Sequence, residues 1–172
     1  MQTPQKSDLL VIGYGNPLRC DDGVGPKVAE AIEALPLPGV NVLVCHQLSP
    51  EHAEPISQAR KVIFVDAAVD APAGGVRFRR LEPNPSSQLM AHAADPRTML
   101  ALARDVFGHA PEAWWITIPA VKLGFGTDLS PEAEAGYHTA VRQIRALAGK
   151  HGAAEGFCPA RSKESEALAK IG

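Results

Sequence analysis

The run Leu9-Leu10-Val11-Ile12 passes at once into "GYGNPLRCDDGVGP", Gly13 to Pro26, and a helical pattern begins directly behind it. A short apolar run closed by glycine reads as a buried strand, while Val24, Val28, Ala31, Ile32 and Leu35 fall on one face of a helix. A strand, a glycine-rich turn and a helix in that order commit the chain to an α/β architecture, with the helix lying back across the sheet.

Turns of this kind often cradle a phosphate on backbone N–H groups at a helix N-terminus. The residues here do not fit that use. After Gly13 and Gly15 the third position of the dinucleotide pattern falls on Leu18, and where a phosphate loop would end in Gly-Lys-Ser/Thr this one ends Asp22-Gly23-Val24. Two carboxylates beside a pyrophosphate repel it, so the loop suits a metal ion or a cationic group better. One of Asp21 and Asp22 is expected to cap the following helix, which leaves the other to be explained. The glycines are expected to let the backbone fold tightly and to leave room for a substrate chain.

The alternation continues along the chain. Asn41 to His46 reads as a second strand, and Ser49-Pro50-Glu51 supplies a cap, a first-turn proline and an acid for a short helix to about Ala59. Lys61 to Asp66 (KVIFVD) is a continuous apolar run, the pattern of a strand buried on both faces. Val76 to Leu81 (VRFRRL) alternates apolar residues with arginines and reads as a half-exposed edge strand. Asp95-Pro96 opens a helix to about Phe107, Trp114 to Pro119 forms a further strand, and Ser130-Pro131-Glu132 opens a last helix to about Ala148. The expected fold is a three-layer α/β/α sandwich around a mostly parallel, twisted sheet of about five strands, one edge strand antiparallel. Residues 1–149 form the expected single domain, and 150–172 read as a weakly ordered tail.

Asp66 ends the most apolar strand, where an unpaired buried carboxylate would cost several kcal/mol, so it must meet water, a donor or a metal. If the first and third strands are parallel, Asp22 and Asp66 approach one another at the carboxyl edge, where open α/β sheets place ligands. A pair of hard oxygens needs a third ligand to hold a transition metal, and a histidine is the usual one. Among the six histidines, His92 lies in the Pro- and Ser-containing segment Glu82 to Ala94, which has no helical or strand period, and His46 at a strand end is the alternative.

Composition narrows the partners. Lys plus Arg total 17 against 19 Asp plus Glu, which gives no electrostatic footprint for nucleic acid or an anionic membrane. The polar N-terminal stretch and the short run after it do not make a signal sequence, and no segment approaches the roughly 20 apolar residues of a membrane span. A cytoplasmic protein acting on small or protein substrates is expected. Cys20, Cys45 and Cys158 are too scattered for a disulfide framework or a thiolate zinc site, and Cys20 is read as a packing residue before a nucleophile.

Gly-Tyr-Gly-Asn-Pro-Leu-Arg-Cys-Asp-Asp-Gly-Val-Gly-Pro behind an apolar strand, a strand ending Val65-Asp66-Ala67, a loop histidine in mid-chain and Leu129-Ser130-Pro131-Glu132 before the last helix together resemble the hydrogenase maturation endopeptidases. These proteases trim the C-terminus of nickel-containing hydrogenase large subunits. The resemblance implies an endopeptidase whose protein partner is a hydrogenase large-subunit precursor. It implies that Asp22, Asp66 and His92 sense nickel already inserted in that precursor, the metal being supplied by the substrate rather than tightly bound at rest. Asn16 and Asp21 rank behind them, Asn16 as a donor to a substrate carbonyl or oxyanion and Asp21 as an orienter of the loop. The competing expectation is a nickel-binding or chaperone-like module that docks on a metalloenzyme precursor without cutting it.

Overall fold

The computed structural model describes residues 7–70, 75–85 and 95–149. His92 and the 150–172 tail lie outside the described residues, as do 71–74 of the loop after the third strand.

The elements run β1 (Ser7–Tyr14), a 3-10 turn (Cys20–Gly23), α1 (Val24–Glu33), β2 (Val40–Cys45), a second 3-10 turn (Pro50–His52), α2 (Ala53–Ser57), β3 (Ala59–Ala68), β4 (Arg77–Leu81), α3 (Pro96–Phe107), β5 (Glu112–Pro119) and α4 (Pro131–Ala148). The five strands form one sheet in the order β2-β1-β3-β5-β4. Every pairing is parallel except that of the edge strand β4 with β5. The fold read from the sequence is therefore the fold observed, with boundaries moved by a residue or two.

β3 shows why the sheet is buried on both sides. Val62 and Phe64 point into the apolar layer beneath α2 and α3, while Ile63 and Val65 point into the layer beneath α1 and α4. All four are fully buried or within 1% of it, and each side chain of this size contributes about 1.5–3 kcal/mol of hydrophobic stabilisation. Asp66, next in the alternation, is turned to the same side as Phe64.

The glycines of the first turn serve the chain's own packing. A Cβ on Gly25 would stand 2.5 Å from both Tyr14 O and Val65 O, and one on Gly13 would collide with Gly25 O. α1 thus crosses β1 and β3 with backbone against backbone. The space expected for a substrate chain is filled by this helix.

Chain direction across the sheet reverses between β1 and β3. From β1 the chain crosses to β2 through α1 on one face, and from β2 it returns to β3 through α2 on the other. Connections leaving on opposite faces open a crevice at the carboxyl ends of the two central strands. Both loops that carry the candidate carboxylates leave from those ends.

Candidate active site

Asp21 and Asp22 are adjacent in the 3-10 turn and have opposite surroundings. Asp21 is fully buried. Its Oδ2 accepts from Val121 N at 2.9 Å, Lys122 N at 2.8 Å and Ser130 Oγ at 2.7 Å, and its Oδ1 accepts from Ser130 N at 2.6 Å. Burial by itself would raise the carboxyl pKa, but the donors from Ser130, Lys122 and Val121 outweigh it and hold the group below its usual range. Ser130 Oγ also accepts from Ala133 N at 3.2 Å, so the Asp21 carboxylate anchors the N-terminus of α4 through the cap that the sequence predicts.

Neither aspartate caps α1. Its N-cap is Gly23, with no side-chain hydrogen bond, and the Val24 N–H is taken by Asp21 O of the preceding turn. A 3-10 turn running directly into the helix satisfies the first donor from the backbone, which removes the need for a side-chain cap.

Asp22 Oδ2 accepts the Asn16 N–H at 3.1 Å, and Asn16 Oδ1 in turn accepts the Leu18 N–H at 3.0 Å. Gly15 makes this fold-back possible, since its φ is +136° and a Cβ there would strike Asp22 O. Across the crevice, Asp66 Oδ1 accepts the Ala67 N–H at 2.8 Å. Its pKa is pushed up to about 6, first by burial; Tyr14 and the Ala67 N–H pull it down, and the charge of Asp22 raises it further. Asp22 therefore lies near enough to Asp66 for its charge to be felt there.

Tyr14 lies beside Asp66, one residue beyond the Gly13–Val65 register pair. Burial, and then the Asp66 charge, push its phenol well above the usual range. The Tyr14 hydroxyl approaches both Asp66 and the Trp115 indole N–H, but neither the hydroxyl nor the indole nitrogen reaches a partner with hydrogen-bond geometry. Arg79 of the edge strand stacks over the Trp115 ring, with its guanidinium carbon 5.1 Å from the centroid. Neither Tyr14 nor Trp115 stood out in the sequence, since an aromatic residue in a strand is first of all a core residue.

The described histidines serve elsewhere. His52 Nδ1 closes the cap of the second 3-10 turn with Ser49, His109 Nε2 lies 3.3 Å from Ala59 O at the opposite edge of the sheet, His138 packs edge-on against Tyr137, and His46 is exposed. Among the described residues no three His, Cys, Asp or Glu side chains cluster as metal ligands. Cys20 is fully buried with its Sγ near Gly126, which suits a packing role. No described helix is long and apolar enough to cross a membrane.

No protein-family model and no curated protein matches the chain. Solved structures do. A hydrogenase 2 maturation peptidase from a Thaumarchaeota archaeon is 27% identical over 81% of this chain and 97% of its own, with a TM-score of 0.60. A [NiFe] hydrogenase maturation protease, HybD, from Thermococcus kodakarensis is 26% identical over 81% and 98%, with a TM-score of 0.61. The chain is thus similar, over most of its length, to hydrogenase maturation peptidases. The hydrogenase maturating endopeptidase HybD of Escherichia coli, 22% identical with a TM-score of 0.65 over 84% of this chain and 93% of its own, has the same fold. Nearly the full length of each of these peptidases is matched.

Proposed function

We propose that the chain is an endopeptidase that removes the C-terminal extension of a [NiFe]-hydrogenase large-subunit precursor after nickel insertion, and that Asp22, Asp66 and His92 engage the nickel carried by that precursor. The observation that carries this reading is the Asp22–Asp66 pair at the crevice of a maturation-peptidase fold. A half-buried carboxyl held at about 6 by burial and by a neighbouring carboxylate is one whose ionised form an arriving cation stabilises. Carboxylate and imidazole donors suit nickel, and two or three protein ligands leave positions open for the precursor's own. His92 precedes Asp95 by three residues, and the Asp95 charge reaches Tyr14 beside Asp66.

The substrate's nickel would supply polarisation of the scissile carbonyl. Before the precursor arrives Asp66 is mostly ionised at pH 7 and ready to receive the cation; a carboxylate-activated water is the alternative to metal polarisation. The Asn16 side-chain oxygen is committed to Leu18 N, which leaves its NH2 group to donate to a developing oxyanion. Asp21 acts at one remove, by holding the loop that presents Asp22.

The test is intact-mass analysis of large-subunit precursors, nickel-loaded and nickel-free, incubated with the wild-type chain and with Asp22→Asn, Asp66→Asn and His92→Ala. Release of a C-terminal peptide from the nickel-loaded precursor alone, lost in each variant, is the expected result. Binding without any mass change would replace the endopeptidase with a non-cleaving nickel chaperone.

A further inference from the structure

Four large apolar side chains stand exposed at the carboxyl edge of the sheet: Leu18 at 60%, Val69 at 70%, Val121 at 66% and Phe125 at 98%. They come from three different loops, and hydrogen bonds tie those loops together. Ala120 N donates to Ala68 O at 3.0 Å, which joins the Val69 and Val121 loops. Cys20 N donates to Gly126 O at 2.8 Å, Gly126 N to Leu18 O at 3.0 Å and Asp21 N to Lys122 O at 3.0 Å, which joins the Phe125 arch to the loop that carries Asn16 and Asp22. The four bonds received by the buried Asp21 carboxylate fix the base of the arch. A phenyl ring exposed at the tip of a loop held this firmly packs against none of the described residues to any extent.

We propose that Leu18, Val69, Val121 and Phe125 form the surface on which the protein substrate docks beside the carboxylate pair, with Phe125 as its anchor. This rests on the endopeptidase reading above and names the part of the precursor that the site grips: an apolar segment flanked by carboxylates. The charge of the arch selects that chemistry, because residues 17–20 and 120–126, which carry Leu18, Val121 and Phe125, contain the exposed Arg19 and Lys122 and no acidic residue, while the exposed Asp70 follows Val69. A second copy of the chain is a poorer occupant than the precursor. The exposed apolar area is on the order of a few hundred Å², short of the roughly 800 Å² per partner of a stable interface. A rigid aromatic anchor in an apolar patch is the usual form of a binding hot spot, and it loses little entropy on docking because its loop is already ordered.

The experiment compares wild type with Phe125→Ser, Leu18→Ser and, as control, Val106→Ser, which removes an equally exposed side chain near the opposite end of α3. Cleavage of nickel-loaded precursor is followed by intact mass, precursor binding by interferometry, and oligomeric state by light scattering. Phe125→Ser should raise KM and Kd at least ten-fold with kcat and thermal midpoint unchanged, Leu18→Ser should do so to a smaller degree, and Val106→Ser should match wild type. Wild-type KM in Phe125→Ser would overturn the docking surface and leave the endopeptidase reading standing. A wild-type dimer that Phe125→Ser dissolves would overturn it too, by showing that a second copy covers the patch. Failure of the wild type to cleave any precursor would refute the endopeptidase reading itself, whatever the variants do.

Discussion

Replacing Asp66 with asparagine should destroy activity and make the protein more stable at pH 8. The Asp66 carboxyl has a folded-state pKa of about 6 against an unfolded value near 3.8, so the native state holds its proton more tightly than the unfolded chain does. A raised carboxyl contributes stability that is fully present below the unfolded pKa and is lost as pH rises through the folded one. At pH 8 the native state carries the whole burden of an ionised group in an unfavourable place. Two pKa units correspond to about 3 kcal/mol as an upper bound, and solvent screening of a half-buried group brings the expected gain to about 1–2 kcal/mol. For a chain of this size that is a rise of about 3–6 °C in Tm. Asparagine fixes the neutral form and keeps an acceptor for Ala67 N, so no bond is lost with the charge.

Urea denaturation followed through Trp114 and Trp115, run at pH 8 and at pH 4.5, reads the difference. Asp66→Asn should unfold later than wild type at pH 8, and the gap should shrink to roughly a third at pH 4.5, where the native carboxyl is protonated but the unfolded one is still mostly ionised. An Asp66→Asn protein no more stable than wild type at pH 8 would refute the electrostatic account. An equal gain at both pH values would assign the effect to packing instead.

Asp21 should behave in the opposite way: Asp21→Ala strands three backbone N–H groups and the Ser130 hydroxyl, and should lower unfolding free energy by about 3–5 kcal/mol in the same urea assay. Because its folded pKa is depressed, its stabilisation is present above the unfolded pKa near 4 and lost as pH falls through the folded value, so wild type should lose more stability than Asp21→Asn on acidification below pH 4. Gly25→Ala places a Cβ 2.5 Å from two backbone oxygens that cannot move apart without parting β1 from β3, and should cost at least about 3 kcal/mol or yield no folded protein by circular dichroism.

The elements were legible because each has a period and a stop that belong to it alone. β3 reads as a doubly buried strand from Val62 to Val65, and Ser130-Pro131-Glu132 announces α4 whatever lies elsewhere. That the loops bearing Asp22 and Asp66 leave from one edge was also legible, since it follows from two parallel neighbouring strands. Contacts between distant segments were not. Asp21 and Ser130 are 109 residues apart, and nothing near either residue marks the other as its partner. The glycines misled in a related way, because sequence shows that a backbone is bare without showing what approaches it; at Gly25 it is β1 and β3. Phe125 carried no signal, since a single aromatic residue in a loop is read as packed until its exposure is known.

The adjacent aspartates show how one short turn separates structure from chemistry. Successive residues of a 3-10 turn point about 120° apart, so Asp21 and Asp22 cannot face the same surroundings. Asp21 faces inward, receives four donors and is chemically inert; Asp22 faces the crevice, receives one, and adds its charge to that already disfavoured on Asp66. Exchanging the two roles would require turning the whole loop, and that loop is locked by the arch that Asp21 itself holds. The satisfied carboxylate therefore holds the loop that presents Asp22: without the Asp21 anchor Asp22 would lose its place near Asp66, while burial would still keep the Asp66 pKa raised.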